Sequence, residues 1–290
     1  MTAAHDSSAP ALALLCCTVG RTEKLSRLLA SLAAQTRTDF ELLIVDQNEP
    51  GVLDPLLAPW RDRLAIVHLR SARGLSRARN VGLAAVRAPL VAFPDDDCWW
   101  PNDLAARVVA LFDALPQAGL LTGRTQDGAG ADSLGLFLST DAEISRDNIW
   151  RVGNSNSLFV RTGIARRIGG FDERLGVGAA TPFKSGEETD FALRALASGA
   201  KGFYRRDLIV HHDQAPVAGE AGGARAEGYA QGFGRVLRAH GFGAGYVAVR
   251  IVRPLARAAL ALATGDLPTA RYKALWARGV FRGYCAPLRD

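Results

Sequence analysis

Three acidic residues in a row, Asp95-Asp96-Asp97, follow the apolar run PLVAF (89–93) and precede Trp99 and Trp100. Like charges this close repel, so the cluster needs compensation. An extended backbone turns residues i and i+2 the same way, which would aim Asp95 and Asp97 together and Asp96 away. Two hard oxygen ligands suit Mg²⁺ or Mn²⁺ and leave positions for phosphate oxygens and water. A solvated acidic turn is the competing reading. A second group, GEETD (186–190), puts Glu187, Glu188 and Asp190 at the start of a helical pattern. Acids there offset the helix dipole; one of them aimed at a substrate hydroxyl would serve as a general base. His211 and His212 end an apolar run, where a neutral imidazole can complete a metal's coordination.

The elements around these residues follow from periodicity. ALALLCC (11–17), FELLIVD (40–46), LAIVHL (64–69) and PLVAF (89–93) are short apolar runs of buried-strand type. Between them, TEKLSRLLASLAAQ repeats leucine at helical spacing (Leu25, Leu28, Leu29, Leu32), and RARNVGLAAV (77–86) is helical. Strands alternating with helices predict an α/β fold with a mostly parallel central sheet flanked by helices. Ligands bind beyond the carboxyl ends of such strands, so the TVGR segment (18–21), Asp46 and Asp95–Asp97 should gather along one edge. Farther on, GRTQDGAGADSLG (123–135) reads as a loop, SNSLFVR (155–161) and FYRRDLIVHH (203–212) as strands, and EETDFALRALASG (187–199) as an amphipathic helix.

The 290 residues carry a net charge of +6, all of it in the tail. From Gly219 onward eleven basic residues face four acids, which leaves residues 1–218 at −1. The expected organisation is a near-neutral globular unit over 1–218 and a basic helical extension over 219–290. Cys16, Cys17, Cys98 and Cys285 form no CxxC pair and read as reduced thiols of a cytoplasmic protein. The start has no basic n-region of a signal peptide, and no apolar run reaches about 18 residues, the length of a membrane span.

Eight segments, in order, resemble family 2 glycosyltransferases of the GT-A fold: CCTVGR, LLIVDQNE, GLSRARNVGL, VAFPDDDCWWP, GNSNSLFVR, IGGFDE, GEETDFALR and IVHH. They span about residues 11–215, and the tail has a looser likeness to bacterial members that build surface polysaccharides. The resemblance implies that Thr18, Val19, Gly20 and Arg21 line a nucleotide pocket and that Asp46 accepts from a uracil-type N3–H, favouring UDP or dTDP donors. Gln47 stands where a second Asp is usual. Arg73, Arg77 and Asn80 match the stretch near the phosphates or donor sugar, with a supporting role for Arg77 as the alternative. Asp95 corresponds to the ribose- or sugar-facing carboxylate of the DXD motif and Asp97 to its metal ligand. Asn156 matches a polar position near the donor sugar, and His211 a metal-ligating histidine, with His212 as fallback. Glu188 takes the place of the usual central Asp of GEDxD as base, with Glu187 and Asp190 supporting it.

The reaction so implied is an inverting, metal-dependent transfer of a sugar from a nucleoside-diphosphate sugar to a glycan or lipid-linked acceptor at the inner membrane face. Two other readings stay open: a sugar-phosphate nucleotidyltransferase, for which TVGR is a short, glycine-poor loop, and a non-catalytic scaffold, supported only by Glu188 in place of Asp. In the tail, Arg250, Arg253 and Arg257 share a helix face. They suit peripheral contact with a membrane, or a helix packed on the domain, and Pro254 should kink or break that helix. No nucleic-acid motif occurs.

Overall fold

The computed structural model describes residues 9–20, 22–214 and 220–288. In chain order the elements are β1 (Leu12–Thr18), α1 (Thr22–Ala33), β2 (Phe40–Asp46), α2 (Asp54–Leu57), β3 (Ile66–Arg70), α3 (Leu75–Ala85), β4 (Leu90–Ala92), β5 (Cys98–Trp99) and α4 (Leu104–Ala114). There follow β6 (Ala118–Gln126), β7 (Ala142–Glu143), β8 (Leu158–Arg161), α5 (Thr162–Arg167), α6 (Glu187–Ala197), β9 (Lys201–His212), α7 (Glu220–Ala239), α8 (Ala244–Ala263) and α9 (Leu267–Cys285). They fall into two compact units. One takes the described residues up to Ala72, then Ala78–Gly170 and the chain from Arg194 through β9; the other takes Arg73–Arg77, Phe171–Leu193 and the helices α7–α9.

All the strands of the first unit join one sheet in the order β3-β2-β1-β4-β8-β6-β9-β5, with β7 also on β9. The half from β3 to β4 is parallel, as the apolar runs require. Every residue of β1 and β2 is buried, which is the pattern of strands covered on both faces. The other half is mixed: β8 runs antiparallel to β4 and β6, while β6 and β9 are parallel. The core lies between the sheet and α1, whose Leu25, Leu28, Leu29 and Leu32 face inward, with Trp100 and Phe112.

Part of the stretch read as a loop is strand, since β6 continues through Gln126. Gly123 makes this possible. A side chain there would run into the Leu208 carbonyl, and the β6–β9 register shifts at this point. A glycine inside a strand commonly marks such a close approach. Asp127 then closes a short turn by accepting from the Ala129 and Ala131 amides.

In the second unit α7 and α9 meet through glycine. A Cβ at Gly283 would collide with the Gln231 carbonyl, and one at Gly279 with Ala230. Arg278 and Arg282 both donate to Glu227 across this contact. Pro254 does not interrupt α8, which runs unbroken from Ala244 to Ala263.

Candidate active site

Parallel register brings the strand ends together at one sheet edge. Thr18 closes β1 opposite Asp46, the last residue of β2. Asp95–Asp97 are not extended: the Cys98 amide donates to the Asp95 carbonyl across a turn. This breaks the simple alternation, and the three carboxylates meet different partners. Asp95 Oδ1 accepts from Arg79 at 3.2 Å. Asp96, expected to face away, is buried and accepts from the Thr18 hydroxyl at 2.6 Å. Asp97 Oδ1 lies 3.0 Å from His212 Nε2, and its Oδ2 lies 3.8 Å from Lys24 Nζ. The compensation the triplet needs thus comes in part from the protein itself.

The histidine at Asp97 is His212, not His211. Successive strand residues face opposite sides, and Leu208, Val210 and His212 form the buried series of β9. His211 stacks on Trp99 with ring centroids 5.2 Å apart and planes at 17°. The Arg27 guanidinium lies 3.1 Å from the centre of the same Trp99 ring. Burial and the nearby Arg27 hold the His211 pKa below the ordinary imidazole value. At His212 burial also opposes the charged form, but the hydrogen bond and charge of Asp97 outweigh it and raise the pKa.

Asp46 is held within the protein through both carboxylate oxygens. It is fully buried. Its Oδ1 accepts from the backbone and side-chain nitrogens of Asn48, both at 2.8 Å, while Oδ2 accepts from Arg70 at 2.9 Å and lies 3.2 Å from His68 Nε2. A carboxylate with two partners on each oxygen shapes the loop after β2 before it contacts any base. That loop holds Gly20 as well, whose amide donates to Asn48 at 2.7 Å. Val19 is exposed, and Arg21 lies outside the described residues. Asn156 is also buried and accepts from the Asp95 amide at 2.8 Å, which supports the turn.

Arg79 escaped the sequence reading, which named its neighbours. It is 1% exposed. It lies at i−3, i−4 and i−7 from the inner residues Gly82, Leu83 and Val86, and this helical spacing was the available signal. Asn80 packs beside Gly170, where a Cβ would meet its Oδ1. Replacing Arg79 with Met removes the cation and leaves Asp95 without this partner. The expected loss is about 2–3 kcal/mol in urea denaturation, below that of a fully buried pair because Asp95 is partly solvated. Cys17, under the electric field of the same arginine, is nonetheless pushed up to about 12 by burial, so its thiol stays protonated and unreactive.

Residues 15–165 match the sequence model described as Glycosyl transferase family 2. The chain belongs to this family. Thr18, Asp46, Arg79, Asp95–Asp97 and Asn156 lie inside the matched region, while GEETD and the histidine pair follow it. Among curated family relatives, the chain is 38% identical over 108 residues to the succinoglycan biosynthesis protein ExoW of Rhizobium meliloti, covering 34% of each. It is 28% identical over 158 residues to an uncharacterised glycosyltransferase of Nostoc sp., covering 50% of this chain and 48% of that one. The chain thus spans about half the length of these relatives or less. Among solved structures it is similar to the mannosyltransferase PcManGT of Pyrobaculum calidifontis, in complex with GDP-Man and Mn²⁺. The TM-score is 0.65 at 17% identity, over 96% of this chain and 86% of that one. At that identity the likeness carries the fold, GT-A.

The second unit holds the other acids. Glu187 and Asp190 are buried, and Glu188 is half-buried in the first turn of α6. Asp190 Oδ1 lies 2.8 Å from His240 Nε2. A methyl added at Gly176 would sit 3.2 Å from the Glu187 carboxyl. Arg73 and Arg77 are both exposed, and Arg77 pairs with Glu173 at 3.0 Å. An exposed pair of this kind contributes about 0–1 kcal/mol, so Arg77→Ala should leave the urea midpoint nearly unchanged where Arg79→Met moves it.

Proposed function

We propose that the protein transfers a sugar from a nucleoside-diphosphate sugar to a glycan or lipid-linked hydroxyl acceptor, with inversion at the anomeric carbon. The observation that carries this reading is the acidic turn at the carboxyl edge of β1, β2 and β4, with Asp97 against His212, inside and beside the region that matches the family. Two structures of the same fold bind such donors: PcManGT with GDP-Man and Mn²⁺, and Staphylococcus aureus TarS (residues 1–349) with UDP-GlcNAc, at a TM-score of 0.59 and 16% identity.

Asp97 and His212 offer a carboxylate oxygen and an imidazole nitrogen 3.0 Å apart. Among the described residues no group of three or more His, Cys, Asp and Glu side chains is placed to hold a metal ion. A pair fits a cation that shares its coordination with substrate phosphates and water, as Mg²⁺ and Mn²⁺ do. When bound, the cation supplies a Lewis acid toward the departing diphosphate. Asp95 and Asp97 hold this part of the site, and Arg79 and Asn156 fix the turn that presents them. Glu188 accepts the acceptor's hydroxyl proton as that oxygen bonds to the anomeric carbon. The bond from that carbon to the diphosphate breaks, and the nucleoside diphosphate leaves.

Calorimetric titration with UDP-, dTDP- and GDP-sugars, in Mn²⁺ and in EDTA, tests the donor half. Saturable binding of at least one donor that weakens tenfold or more in EDTA is expected. No binding by any donor in Mn²⁺ would remove the reading.

A further inference from the structure

Helix α8 presents an uncovered apolar face. Of its 20 residues only Val247 and Ala261 are buried. At 3.6 residues per turn, Val249, Val252, Ala256 and Leu260 form a stripe on the opposite side. Their exposure reaches 59% at Val252 and 66% at Leu260. Large apolar side chains left in solvent along one stripe mark an interaction surface.

The charge beside the stripe selects the partner. Arg253 and Arg257 stand next to it on the helix and are exposed, with no ion pair among the described residues. Arg250 is turned back onto Tyr246, 4.2 Å from the ring centre. From Ala244 to Gly265 the chain has no acidic residue at all. A second copy of the chain would bring more arginines to this helix and no carboxylate from its counterpart. Anionic lipid headgroups above an acyl layer match both features, and the long arginine side chains can reach the headgroups while the stripe sinks below them. Among the described residues no helix is long and apolar enough to cross a membrane.

We propose that α8 lies in the plane of an anionic lipid surface, with Val249, Val252, Ala256 and Leu260 in the acyl boundary and Arg253 and Arg257 on phosphate headgroups. This goes beyond the transferase reading and does not depend on it.

The test is flotation of the full chain with vesicles of phosphatidylcholine alone, or with about one-third phosphatidylglycerol. Partition onto the anionic vesicles should be at least tenfold stronger and should weaken in high salt. Arg253→Ala with Arg257→Ala should weaken it about 25-fold, at roughly fivefold per arginine. Val252→Asp with Leu260→Asp should abolish it. All four positions are exposed, so circular dichroism and the thermal midpoint should stay at wild-type values. Equal partition onto both vesicle types, no partition at all, or unchanged partition of the variants would overturn the proposal. So would a dimer in light scattering that Leu260→Asp dissociates without any vesicle binding. Donor binding, read without vesicles, reports on the transferase reading separately.

Discussion

Glu188→Gln should lower kcat by about 10²–10⁴-fold, the range for loss of a positioned general base, with the donor's KM little changed. The amide keeps the size of the carboxyl and its place in the first turn of α6, but cannot take a proton. Of the neighbouring acids, Glu187 is buried beside Gly176, and Asp190 pairs with His240. Half-buried Glu188 is the member of the group left with access to solvent. An interaction realised only in the transition state lowers kcat and kcat/KM together, and steady-state kinetics at saturating donor read that pattern. If Glu188→Gln turned over at the wild-type rate, the base would lie elsewhere.

The second large effect falls on Asp97. Asp97→Asn should cost about 100-fold or more in kcat/KM, because several kcal/mol of charge stabilisation at the leaving group are lost, and Mn²⁺ binding by calorimetry should weaken in parallel. Asp96→Asn should cost much less. The Asp96 carboxylate is tied to the Thr18 hydroxyl, and an asparagine oxygen can accept the same bond. An extended backbone would have turned Asp96 away from the other two; the reason here is different. Asp96 does not turn outward; it is buried at the end of β1. Equal losses at both positions would contradict the assignment.

The parallel half of the sheet was readable because β1, β2 and β4 are buried along their whole length and appear as apolar runs, as in ALALLCC. The antiparallel half was harder. β5 is two residues long, and β6 ends in TGRTQ, where Gly123 stands for close backbone approach rather than for a loop. Within the site, residue types were legible and directions were not. Leu208, Ile209 and Val210 are all apolar, so sequence could not say which face His212 shares. The turn at Asp95–Cys98 likewise cancelled an alternation that holds only for extended chain. Asp46 stood out as the acid that ends a strand and Asn156 only through the family resemblance, yet each has a partner from a segment distant in sequence: Arg70 for one and the Asp95 amide for the other. Arg79 was visible only as a charged residue on the inner stripe of α3, where burial demands a partner.

The central claim is cleavage of a nucleotide sugar between the sugar and the diphosphate. Its most direct test is to incubate the full chain with the donor that binds, in Mn²⁺ and in EDTA, and to identify the phosphate product by chromatography. The account predicts a nucleoside diphosphate, formed in Mn²⁺, suppressed in EDTA and suppressed in Asp97→Asn. Pyrophosphate released from a nucleoside triphosphate and a sugar phosphate, or nucleoside diphosphate formed equally well in EDTA, would contradict it.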